Sequence, residues 1–291
     1  MGTADIIPGI SGGTIAFITG IYSQWLGAIV SINLIFVKNL LRLDWKSALA
    51  EIHLRFLLTL FLGIAVAILT TARVMHYFIN NHAVLTWSLF FGLILASIFV
   101  VGKEIDSWQG PTIFLAGAGG LSAFLIVGMI PITTPETWWF LVFSGIIVTC
   151  AMVLPGLSGS FLLLILGKYE FVIGAIKNPF NFENLLVIFL FTAGGLIGIV
   201  SFSQILKFFL SRYRQATMAF LTGVMIGAMR KIWPWKEVIE SKVIKGETYV
   251  LQEQNILPTK FDSHFLLAVI LMIAGVVVVL ILEKLSQRRI A

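Results

Sequence analysis

Long apolar stretches, separated by short polar segments, dominate the pattern of this chain. Their lengths are close to the about 20 residues that cross ~30 Å of hydrocarbon as a helix. We therefore predict membrane-embedded helices over 56–72, 84–101, 111–130, 137–154, 185–206, 216–229 and 265–282.

Composition supports the same interpretation. Hydrophobic residues make up 58% of the 291 positions, and charged residues make up only 12%. The mean hydropathy is +0.99. Since soluble domains carry about 25% charged residues, the chain is predicted to be an all-α polytopic membrane protein.

The basic residues predict the orientation in the membrane, because cytoplasmic loops are enriched in lysine and arginine. Three basic clusters lie within 38–55, 207–214 and 284–289. Placing all three on the cytoplasmic side puts both termini in the cytoplasm and makes the segment of about 233–263 an external loop.

The chain contains an internal repeat. Aligning 4–30 with 151–177, at an offset of 147, makes eleven of the 27 positions identical. Weaker similarity continues at an offset of 131. We therefore divide the chain into a first repeat, 1–132, and a second repeat, 133–291.

In the predicted orientation, the two repeats are inverted. The first motif segment begins and ends inside, its counterpart begins and ends outside, and three crossings follow each. We predict two inverted repeats, each a re-entrant helical hairpin broken at Pro-Gly plus three transmembrane helices. This is the architecture of many secondary transporters, whose sites lie where the repeats meet.

The same helix-breaking sequence, P-G-x-S-G, occurs in both repeats. Proline ends the incoming helix because it lacks an N–H group. Glycine permits a sharp turn, and serine is a good N-cap for the outgoing helix. The positions are Pro8, Gly9 and Ser11 in the first repeat and Pro155, Gly156 and Ser158 in the second.

The residues after each break predict an anion site. They present free backbone N–H groups at the positive end of a helix, and small side chains let a ligand approach closely. The alternative is that Pro-Gly only kinks a packed helix. The candidate binding residues are Ser11, Gly12, Gly13 and Thr14 in the first repeat and Ser158, Gly159 and Ser160 in the second.

Four charged residues near the spans are further candidates. Arg73 either binds the ligand's head group or snorkels to the interface. Asp5 is either a proton or cation site, and so a candidate for coupling, or a cap for nearby backbone. Lys168 and Glu170 flank a tyrosine in "GKYE" and are candidates for coupling.

The segment "ADIIPGISGGTIAFITGIY", followed later by "PGLSGSFLLLILGKY", resembles the bacterial polyprenyl-phosphate transporter family over nearly the whole chain. The resemblance implies a flippase in the bacterial cytoplasmic membrane. It would return undecaprenyl phosphate from the outer to the cytoplasmic leaflet for cell-wall synthesis. It also implies that the candidate residues after the two breaks contact the phosphate.

Two other functions remain open from the sequence. One is a small-anion channel or exchanger, since such proteins also aim helix ends at an anion. The other is a membrane-embedded undecaprenyl-diphosphate phosphatase, although the chain lacks that family's arginine after the serine and its paired glutamates. We expect no catalytic residue, cofactor, metal ion or nucleic-acid partner.

Overall fold

The computed structural model describes residues 1–5, 11–132, 134–244 and 247–290, and most of them are helical. The elements are α1 (Gly2–Asp5), α2 (Gly12–Ile18), α3 (Tyr22–Val30), α4 (Leu34–Leu41), α5 (Trp45–Glu51), α6 (Leu54–Asn81), α7 (Ala83–Lys103), α8 (Gly110–Val127), α9 (Trp138–Val153), α10 (Gly159–Ile165), α11 (Tyr169–Lys177), α12 (Phe182–Arg212), α13 (Arg214–Ile232), β1 (Lys236–Ile244), β2 (Glu247–Asn255) and α14 (Ser263–Ile290).

Five helices within the described ranges are long and apolar enough to cross a membrane, namely α6, α7, α8, α12 and α14. The pair α10 and α11 would make a sixth span if counted together, but a bend of 114° separates them. Helices α9 and α13 are outside this set although the sequence predicted spans there. Helix α9 is apolar but has only 16 residues. Many residues of α13 are buried by neighbouring helices, so this helix does not have to be strongly apolar on every face. The prediction of an all-α, multi-pass membrane protein is confirmed.

The helices of the two motif segments have corresponding bounds. Adding 147 to the bounds of α2 and α3 gives those of α10 and α11. In each segment a glycine with positive φ separates the two short helices: Gly20 at 72° and Gly167 at 62°. This left-handed conformation favours glycine, which accounts for the residue in both repeats. The inversion of the repeats across the membrane stays a prediction.

Helices from the two halves of the chain pack against each other. Helix α7 lies along α14, and α8 lies along α13. Glycines let these backbones approach closely. A Cβ added at Gly223 of α13 would overlap the Ala116 carbonyl of α8. Each of these pairs joins a helix of 1–132 to a helix of 133–291.

The predicted external loop contains an antiparallel β-hairpin, which the sequence prediction missed. Strands β1 and β2 pair so that Lys236 faces Asn255. The hairpin is fastened to the end of α13, because Lys236 Nζ donates to the Lys231 carbonyl at 2.6 Å and Asn255 Nδ2 donates to the Arg230 carbonyl at 2.8 Å. Both bonds satisfy carbonyls that the end of a helix leaves without a partner. The signal in the sequence was Gly246 between segments rich in β-branched residues.

Candidate functional site

The first motif starts helix α2 as predicted from Ser11 onward. Ser11 is the N-cap, with φ −114° and ψ 135°, and its Oγ accepts the Gly13 N–H at 3.1 Å. Pro8 and Gly9 lie outside the described residues. The serine also donates its hydroxyl hydrogen to the Met152 carbonyl at 3.2 Å. The N-cap therefore also joins the first motif to the end of α9.

The predicted free N–H groups at the start of α2 are already hydrogen-bonded. The Gly12 N–H donates to Asp5 Oδ1 at 2.7 Å. The Gly13 N–H is bound by the Ser11 side chain, and the Thr14 N–H donates to the Ser11 carbonyl at 3.0 Å. The prediction of free donors is thus wrong for the first repeat in this state. The reason is that the carboxylate of α1 occupies the position where an external anion was expected.

The second motif differs in this respect. Gly156 turns the chain with φ +93°, and Ser158 precedes α10 without capping it. The Ser158 hydroxyl instead lies 2.9 Å from that of Ser160. The N–H groups of Gly159 and Ser160 find no acceptor among the residues that the structure describes. The predicted free donors are therefore present in the second repeat.

The two motifs meet at a buried junction. The Gly156 N–H donates to Thr14 Oγ1 at 2.9 Å. The Tyr22 hydroxyl donates to the Val153 carbonyl at 2.8 Å. Thr14 is completely buried, and Tyr22 is 3% exposed. Since an unpaired peptide group in a membrane-buried site is costly, these side chains allow α9 to end inside the protein. Tyr22 was not among the functional residues predicted from the sequence.

We expect Thr14→Val to destabilise the protein. Valine has nearly the shape of threonine but leaves the Gly156 N–H buried without an acceptor, at a cost of about 1–3 kcal/mol. Thr14→Ser retains the hydroxyl and is the matched control. Thermal or denaturant unfolding in detergent measures the effect. Equal stability of Thr14→Val and wild type would contradict the role assigned to this hydrogen bond.

A cavity of about 790 Å³ extends from the first motif, and we call it the junction cavity. Asp5, Gly12 and Gly13 form its polar end. Phe61 of α6 and Leu196 of α12 also line it, and they are 62% and 61% exposed. The cavity therefore opens sideways between these two helices. Its remaining walls are mainly apolar residues of α3, α6, α9 and α12, with Asn33, Thr149, Thr192 and Gln204 as isolated polar groups.

Comparison with known proteins places the chain in a family. A family model described as undecaprenyl phosphate translocase-like matches residues 1–249. The chain belongs to this family. A polyprenyl-phosphate transporter of Vibrio cholerae serotype O1 is 42% identical over 300 aligned positions, covering 99% of this chain and 94% of the relative. One of Staphylococcus aureus is 29% identical, covering 80% and 83%. No solved structure matches the chain.

In this member of the translocase-like family, two of the weaker candidates lie away from the junction cavity. Arg73 is exposed on α6 and does not line the cavity. Glu170 is exposed at the start of α11. Their roles as a head-group ligand and a coupling residue stay predictions, and these positions add no support to them.

Lys168 is 1% exposed, and its side chain is enclosed by a backbone carbonyl and two aromatic rings. Its Nζ donates to the Thr134 carbonyl at 2.8 Å and lies 5.7 Å and 5.8 Å from the ring centroids of Phe140 and Phe171. These contacts attach the segment before α9 to the turn between α10 and α11. A role for Lys168 in coupling stays a prediction.

The polar residues inside the junction cavity were missed by the sequence analysis. Thr149, Thr192 and Gln204 come from two different helices, α9 and α12. A polar side chain within an apolar span is a signal for such a site. The signal alone does not distinguish a residue that lines a cavity from one that bonds its own helix, as Thr149 also does through the Gly145 carbonyl.

Proposed function

We propose that this protein is a flippase for polyprenyl phosphate, with undecaprenyl phosphate as its substrate. It would return the lipid from the outer to the cytoplasmic leaflet for reuse in cell-wall synthesis. The observation that carries the proposal is the shape of the junction cavity. Its polar end lies at the broken helix, and its long apolar wall opens sideways. A phosphorylated lipid has the same division into an anionic head and an apolar chain.

The head group would be held at the two motifs. In the first repeat, phosphate oxygens would take over the Gly12 and Gly13 N–H groups from Asp5 and Ser11. In the second repeat, the unpaired N–H groups of Gly159 and Ser160 would serve as donors. Ser11, Thr14 and Ser158 would add hydroxyl groups. Positive helix ends favour such an anion.

Asp5 would compete with the phosphate for the same donor. A carboxylate and a phosphate cannot both accept the Gly12 N–H in this geometry, and their like charges repel. Binding of the head group would thus require Asp5 to move or to take up a proton. This competition gives Asp5 the coupling role that the sequence suggested.

The orientation forms part of the proposal. Both termini would be cytoplasmic, in the bacterial cytoplasmic membrane, and the β-hairpin would lie outside. The junction cavity, which includes Asn33 just before the basic segment 38–55, would then belong to the cytoplasmic half. A thiol-reactive label at a cysteine introduced into the hairpin should react from outside intact cells. Labelling from the cytoplasmic side alone would contradict the orientation.

Transfer of a labelled polyprenyl phosphate between leaflets of proteoliposomes tests the function. We expect transfer by the wild-type chain and none in protein-free vesicles. Neutral polyprenol, which has the tail without the phosphate, is the matched control lipid and should not be transferred faster than background. Chloride flux without lipid transfer would favour the anion channel. Release of inorganic phosphate from undecaprenyl diphosphate would favour the phosphatase.

A further inference from the structure

A second cavity lies at the end of the helical body that carries the hairpin, and we call it the hairpin cavity. Its volume is about 560 Å³, and α8, α10, α13 and β2 contribute residues to it. Arg230, Lys231 and Glu253 form its charged wall, while Met129 and Phe161 belong to its apolar wall. It therefore places two cations beside an apolar surface.

Most of the donors of Arg230 are available. Its Nη1 donates to the Phe124 carbonyl at 3.2 Å, and its guanidinium carbon lies 4.3 Å from the centroid of the Phe124 ring. A guanidinium has five N–H donors, and only this one meets an acceptor among the described residues. A Cβ at Gly128 would overlap the same nitrogen. Glycine at that position thus leaves room for the guanidinium at the edge of the cavity.

Lys231 is only loosely paired. Its Nζ lies 3.5 Å from Glu253 Oε2, whereas Lys236 Nζ lies 2.9 Å from the same oxygen. Lys231 Nζ also lies 4.5 Å from the centroid of the Phe161 ring. The carboxylate is therefore bound mainly by Lys236, and Lys231 retains donors for another acceptor.

The charges around the cavity do not balance. Burial opposes ionisation of Glu253, but the charges of Lys236 and Lys231 outweigh it and hold the pKa of that carboxyl below its ordinary value. Glu253 is thus a carboxylate at neutral pH. The charged residues that line the cavity are Arg230, Lys231 and Glu253, and Lys236 lies 2.9 Å from the Glu253 carboxylate. These four residues together carry two more positive than negative charges. The dipole of α13 favours the cations Arg230 and Lys231 in its last turn. This effect explains why cations are present there, but it does not explain why a cavity lies beside them.

We propose that the hairpin cavity binds a phosphate monoester, and that the ligand is the head group of a polyprenyl phosphate waiting on the hairpin side of the membrane. This rests on the function proposed above and adds a second binding site to it. A phosphate monoester carries about −1.5 to −2 charge at pH 7, which matches the excess of positive charge. The guanidinium fork suits two phosphate oxygens.

The apolar side of the cavity suits the lipid's chain. Met129 and Ile130 line the cavity, and each is 49% exposed. A chain leaving the head group along these residues would keep its apolar surface out of water. Free inorganic phosphate would use the same cations but would gain nothing from this wall. The lipid is therefore the source of phosphate that the site favours.

The test compares variants in proteoliposomes that receive labelled polyprenyl phosphate on the hairpin side. The variant Arg230→Gln combined with Lys231→Gln should raise the apparent KM by at least about tenfold, the effect of losing one hydrogen bond between charged groups. Its maximal rate should change less than about twofold, because the junction is intact. Arg214→Gln is the matched control, since Arg214 lies at the other end of α13 in an exposed pair with Glu104. Its KM should stay at the wild-type value.

Glu253→Gln tests the charge balance in the opposite direction. The amide retains an acceptor for Lys236 but removes the negative charge, so the apparent KM should fall. This variant and Arg230→Lys, which keeps the charge but loses the fork, keep the proposal testable if the double variant does not fold. An unchanged KM in both Glu253→Gln and Arg230→Lys would overturn the proposed second site.

Three results separate the possibilities. Lipid transfer by wild type with an unchanged KM in the double variant would overturn the second site and leave the proposed function standing. Competition by inorganic phosphate as strong as that by farnesyl phosphate would show a free-phosphate site and overturn the lipid assignment. If wild type transfers no lipid, the proposed function fails. Binding of farnesyl phosphate to wild type and to the double variant then decides whether the cavity is an anion site.

Discussion

Asp5→Ala should bind polyprenyl phosphate about tenfold more tightly than wild type and transfer it about tenfold more slowly, if the carboxylate competes with the head group. In the structure, Asp5 Oδ1 accepts the Gly12 N–H at 2.7 Å. Removing this competitor frees the donor and removes a negative charge from the site. The head group should then leave slowly, so that release limits transfer. Equilibrium binding and the transfer assay, measured on the same preparation, check both effects.

Asp5→Asn is the matched variant. Its amide oxygen still accepts the Gly12 N–H, but without charge, and such a bond is roughly half as strong. Its affinity should therefore lie between those of wild type and Asp5→Ala. If Asp5 only caps the helix, Asp5→Asn should behave as wild type and Asp5→Ala should bind the lipid no more tightly. That result would exclude the competition.

Leu196→Trp should weaken binding of long-chain polyprenyl phosphate at least about tenfold by filling the apolar part of the junction cavity. Leu196 lines this cavity on α12. Each methylene that is forced from the cavity into water costs about 0.8 kcal/mol, so displacing two or three methylenes into water is sufficient. Farnesyl phosphate, whose chain is short, should lose much less affinity. Binding of the two ligands to the same protein measures the difference.

Leu185→Trp is the control for this substitution. Leu185 lies on the same helix, is 52% exposed, and does not line the junction cavity. It adds the same side chain without filling the cavity, and binding should stay at the wild-type level. Equal losses for the long-chain and short-chain ligands in Leu196→Trp would show that the cavity does not hold the chain.

The spans and the helix breaks could be predicted from the sequence because their causes are local. A run of apolar residues long enough to cross hydrocarbon forms a helix whatever its neighbours are. The predicted helix at 137–154 is α9, Trp138–Val153. Ser11 caps α2 and Gly156 turns the chain, since both effects depend on the conformation of a few consecutive residues.

The state of the site depended on contacts between distant parts of the chain. Asp5 and Gly12 are close in sequence, but no local rule predicts that the carboxylate occupies the helix end in place of a ligand. Thr14 and Gly156 are 142 positions apart, and their hydrogen bond exists only because the two motifs pack together. The cavities form between helices from both halves, and their volume and charge depend on which side chains face them. Local residue preferences thus determined the helices and their breaks, whereas tertiary packing decided which donors remain free and where the two cavities lie.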